Sequence, residues 1–102
     1  MHAFVTVGRA GENLWPAKVF SADNEMSARI YIDVTAGVAN ACRENLRAFR
    51  GSEIWAKMNI AERAACEKTI TAPIDSIDPS ALDTIELDAV ITYTYQRVDL
   101  NG

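Results

Sequence analysis

The chain opens on a β-prone run, Ala3 to Val7, followed by the turn-forming stretch Gly8 to Asn13, which predicts a strand and a reversal. A return strand follows from Trp15 to Ser21. Pro16 carries no N–H and does not fit the middle of a ladder, so this second strand lies at a sheet edge or begins at Ala17.

Residues 22–35 carry two competing patterns. Ser21 is a candidate helix cap, with Asp23 and Glu25 favourable near a positive helix end, and Met26, Ile30, Val34 and Val38 recur every four residues. Against a helix, Ile30, Ile32 and Val34 alternate with Tyr31, Asp33 and Thr35 in a β-branched and aromatic run. One helix from Ala22 to Arg50 would also hold Gly37 at its centre, costing about 1 kcal/mol relative to alanine. The alternation favours a third strand.

From Ala36 the helical period is clear. Val38, Cys42, Leu46 and Phe49 share a face, and Gly51 follows as the C-terminal cap. The opposite face carries Arg43, Arg47 and Arg50, well placed near the negative end of the dipole. A second helical stretch runs from Glu53 to about Thr69, with Trp55 and Met58 as anchors. It is interrupted at Asn59, where Asn59-Ile-Ala-Glu62 reads as a capping box for a short helix through Lys68.

Thr71 to Asp83 holds Pro73 and Pro79 among Asp and Ser, and reads as an irregular connection. Ile85, Leu87, Ala89, Ile91, Tyr93 and Tyr95 then alternate with a more polar set, which predicts a long final strand with a bend or a projecting end. The expected fold is one α+β domain over 1–102, with a small antiparallel sheet packed against two helices. The sheet consists of an N-terminal hairpin or three-stranded meander plus the C-terminal strand.

Composition supports a globular reading, since 49% of the 102 residues are hydrophobic and 24% charged. No run approaches the roughly 18 apolar residues of a membrane span, and Met1-His2-Ala3-Phe4 lacks a signal-peptide layout, so a cytoplasmic protein is expected. Charge is unevenly spread. Residues 1–39 sum to −1, residues 40–68 to +2 and residues 69–102 to −5, for a net charge of −4. This balance argues against direct nucleic-acid binding and suits a basic protein partner.

Candidate chemistry is sparse. His2 is the single histidine and lies next to a terminus, which disfavours triads and His-rich metal sites. Cys42 and Cys66 form no CxxC pair and read as reduced core thiols, so no metal or other cofactor is expected. Gly8-Arg9-Ala10-Gly11 has the GxxG spacing of a nucleic-acid clamp but follows a strand, so it reads as a hairpin turn.

The remaining candidates are surfaces. Asp75, Asp78, Asp83, Glu86 and Asp88 make an acidic region, with solvated turn and strand carboxylates as the plainer reading. Arg43, Arg47 and Arg50 could meet an acidic group or simply line a solvated helix face, and Trp15 could anchor a partner or pack inside. Tyr93 and Tyr95 read as core, with a projecting interface as the alternative.

The expected function is non-catalytic protein binding by a monomer or small homo-oligomer. Small acidic inhibitors and regulators of phages and mobile elements, some of which block nucleic-acid-binding complexes, share this size and charge. That analogy has no motif behind it. The alternatives are a self-assembling phage or virion subunit and a small ligand-binding domain or enzyme.

Overall fold

The structure is a computed structural model that describes residues 1–79 and 87–98. Its elements run β1 (His2–Ala10), β2 (Asn13–Leu14), β3 (Lys18–Ala22), α1 (Glu25–Arg50), α2 (Glu53–Lys57), α3 (Ile60–Ile77) and β4 (Ile91–Val98). The expected α+β fold with a small antiparallel sheet is present.

β1 is the central strand. β2 and β3 pair with one side of it and β4 with the other, all antiparallel. A two-residue reversal joins β1 to β2, and Gly11 takes a positive φ of 60° there, as the first central residue of a tight hairpin turn must. β2 and β3 are two pieces of one edge strand, broken at Trp15-Pro16-Ala17 where Pro16 cannot donate to the ladder.

At the break, Trp15 N–H donates to the Gly8 carbonyl at 2.9 Å while the indole turns into the core. Gly8 belongs to β1 rather than to the turn, a correction to the sequence reading. A Cβ there would overlap a ring carbon of Trp15 and lie 2.7 Å from a ring carbon of Tyr93, so the absent side chain is the seat for both aromatics. Their ring centroids stand 5.6 Å apart.

Residues 25–35 are helical, and the third strand expected there does not form. Asn24 caps α1, its side chain accepting from Ser27 N–H at 2.8 Å. Ala28, Ile32, Thr35, Ala39, Cys42 and Leu46 form a buried row at helical spacing. Ile32 fits this row and the strand alternation equally well, so the pattern could not choose alone. The same rotation sends Met26, Ile30 and Val34 of the every-fourth-residue stripe outward, while its last member, Val38, packs against the core.

α3 runs to Ile77 and includes Pro73, so the irregular connection expected from Thr71 is helix over its first half. An interior proline costs about 3 kcal/mol. The next residue, Ile74, is fully buried against Ala10, Trp15, Ala39, Cys42 and Ile91, and that burial holds the helix together across the break. The Asn59–Glu62 capping box forms as expected. Trp55 and Met58 are only half-buried, so Ile74 is the main anchor of this helical layer.

β4 begins at Ile91, and the expected strand residues 87–90 are turn and coil. The Asn40 side chain explains this start. It accepts from Ile91 N–H at 2.8 Å and donates to the Ile91 carbonyl at 2.8 Å, occupying the place of a neighbouring strand. Ile85 and Glu86, also assigned to that strand, lie outside the described residues.

Candidate protein-interaction surface

The acidic region predicted from sequence does not assemble as one exposed patch among the described residues. Asp75 is exposed on α3, whereas Asp78 is buried at its end. The Tyr93 hydroxyl donates to the Asp78 carboxylate at 3.0 Å, and Lys18 Nζ lies 3.9 Å from its other oxygen while donating to the Ile77 carbonyl at 2.7 Å. Burial first, and the Asp78 carboxylate second, push the Tyr93 phenol far above its ordinary range. This cluster ties β3, α3 and β4 together. Asp88 is 91% exposed and lies 3.6 Å from Arg47. Asp83 and Glu86 lie outside the described residues.

The arginines are not a free stripe. Arg43 is buried, donates to the Leu87 carbonyl at 2.9 Å and pairs with Glu44 at 2.6 Å. Arg47 meets Asp88, and Arg50 pairs with Glu67 of α3. Their aliphatic stems and forked donors fasten α1 to its neighbours, a role that charge spacing alone does not reveal. Trp15 is 3% exposed and is a core residue rather than a partner anchor. Tyr93 and Tyr95 are half-buried on the inner sheet face, Tyr93 against Trp15 and Tyr95 against Phe4.

Cys42 and Cys66 are free thiols. Cys42 is buried, and Cys66 lines an apolar groove of about 430 Å³ with Phe49, Ala65, Thr69 and Ile70. Among the described residues no three His, Cys, Asp or Glu side chains group as metal ligands, and no helix is long and apolar enough to cross a membrane.

The most distinctive surface is the outer side of α1. Met26, Ile30 and Val34 succeed one another at i, i+4 and i+8 and are 74%, 57% and 55% exposed. Gly37 and Ala41 continue the line toward the C-terminus. Arg29 and Asp33, an exposed pair 3.9 Å apart, form one rim. Tyr31 lies on the other, stacked on Phe20 with centroids 4.5 Å apart.

A helix packed on one side normally turns a charged face to water. α1 is apolar on two opposite faces through its first four turns. The outer sheet face differs, because Val5, Val7 and Val19 are mixed there with Thr92, Thr94 and Gln96, the usual make-up of a solvated antiparallel face. The signal for the α1 surface was present in the sequence as the spacing of Met26, Ile30 and Val34. The alternation of Ile30, Ile32 and Val34 with Tyr31, Asp33 and Thr35 draws the same residues toward a strand instead.

No protein-family model, curated protein or solved structure matches this chain.

Proposed function

We propose that this domain is a non-catalytic protein-interaction protein, a small acidic regulator that works by holding another protein chain against its surface. The outward apolar line of Met26, Ile30 and Val34 carries the reading. Contiguous exposed aliphatic side chains edged by charge are the usual make-up of a protein-binding surface. The net charge of −4, with Asp75 exposed on α3, favours approach to a basic partner. Such a partner could be a protein that itself holds nucleic acid, in which case occupying its groove inhibits it.

A photo-crosslinking side chain placed at Val34, with the protein expressed in its native host, tests this. A protein adduct at position 34, and none at the exposed Lys68, is expected. Equal absence of adducts at both positions rejects the surface.

A further inference from the structure

We infer that the outer face of α1 is a homodimer contact, in which two copies of α1 pack antiparallel about a two-fold axis lying between residues 31 and 32. The inference rests on the protein-binding reading above and names the occupant of that surface as a second copy of this chain.

Self-complementarity carries the argument. In an antiparallel two-fold contact, residues at equal distances before and after the axis face each other. An axis between 31 and 32 sets Ile30 near Val34 of the second copy. It also sets Met26 at Gly37 and Arg29 beside Asp33. Each pairing occurs twice, and all three require the same axis to within one residue. The apolar residues therefore meet apolar residues, and the longest side chain meets the position without one. The rim charges meet opposite charges, extending the exposed Arg29–Asp33 pair into a ring of four.

Gly37 supplies an independent reason. Glycine near the middle of a 26-residue helix is unfavourable, and a Cβ built at Gly37 meets nothing within 4 Å. Nothing in the monomer therefore demands glycine there. A second helix carrying Met26 across that point does demand it.

The local charge is also nearly balanced, as a contact between two copies of the same chain requires. Residues 1–39 sum to only −1, and the rim of this face holds one charge of each sign. From Met26 to Gly37 the contact spans about 17 Å of helix. A single helix pair of that length lies below the roughly 800 Å² per partner of a standard interface, so association in the micromolar range is expected.

Sedimentation equilibrium of the full chain, from about 5 to about 500 µM, reads the dimer directly. The wild type should pass from monomer to dimer across this range. Gly37→Leu should raise the melting temperature measured at low concentration, because leucine favours helix, while weakening the dimer by about tenfold or more. Arg29→Asp and Asp33→Arg should each weaken it, and the double exchange should recover it, since the swapped charges again face opposite signs.

A wild type that stays monomeric at the highest concentration overturns the inference. So does a dimer indifferent to Gly37→Leu and to both charge changes. A monomer that still crosslinks through position 34 to a different protein would leave the protein-binding reading standing and remove only the second copy. Absence of both dimer and adduct would remove both.

Discussion

The two faces of α1 are built from similar residues and meet different fates. The inner face, Ala28, Ile32, Thr35 and Ala39, is buried, while the outer face, Met26, Ile30 and Val34, meets water. Hydrophobicity does not separate them. Continuity does: the inner row runs on through Cys42 and Leu46 to the last turns of α1, while the outer line ends in the small Gly37 and Ala41. A helix apolar on both sides of its first turns is suited to contacts in two directions.

Charge insertion breaks this comparison most sharply. Ile32→Asp places an unpaired carboxylate in the core and should unfold the domain, a loss above about 4 kcal/mol, seen as loss of the cooperative thermal transition. Ile30→Asp, two residues away, should shift the stability of the monomer by no more than about 0.5 kcal/mol. Equal effects from the two would mean that both faces are buried within one chain.

The glycines sharpen the same contrast. Gly8→Ala drives a methyl group into Trp15 and Tyr93 and should cost about 1 to 3 kcal/mol in chemical denaturation. Gly37→Ala, measured where the protein is dilute, should stabilise it by about 1 kcal/mol, because open space receives the methyl group and the helix gains propensity. Asn40 stands between the two faces. Asn40→Ala orphans the Ile91 N–H and carbonyl and should cost about 1 to 3 kcal/mol, with the fastest hydrogen exchange gained at the start of β4.

The smallest effect is alkaline. Tyr93 has a folded pKa raised above its unfolded value of about 10, so its neutral form is favoured in the native state. Below pH of about 10 both states keep the proton and this contribution is whole. Above it the unfolded chain ionises first, and stability falls as pH rises toward the folded value. Wild type should therefore lose melting temperature between pH of about 10 and about 11.5 more steeply than Tyr93→Phe. Parallel slopes would show that the phenol is not held in its neutral form.

Much of the fold was legible along the chain. The hairpin, the helical row through Cys42 and Leu46 and the Asn59–Glu62 box rest on local chemistry that acts wherever the chain goes. The candidate sites were far less legible. Trp15 beside a proline looked like an edge anchor, but Gly8 across the ladder gives its indole a seat. Arg43 and Asp78 looked solvated, yet their partners, the Leu87 carbonyl and Tyr93, are distant in sequence and close only after folding.

By itself the amino-acid order determined the α+β class, the hairpin, the caps and the concentration of negative charge toward the C-terminus, because each follows from neighbours within a few residues. Only the tertiary structure decided that residues 25–35 are helical, that Pro73 lies within a helix, and which side of α1 the sheet covers. Those choices compare whole packed arrangements. Burying the whole row Ala28, Ile32, Thr35 and Ala39, which only a helix puts on one side, outweighs β-branched propensity in one segment, and burying Ile74 offsets a missing helical hydrogen bond in the other.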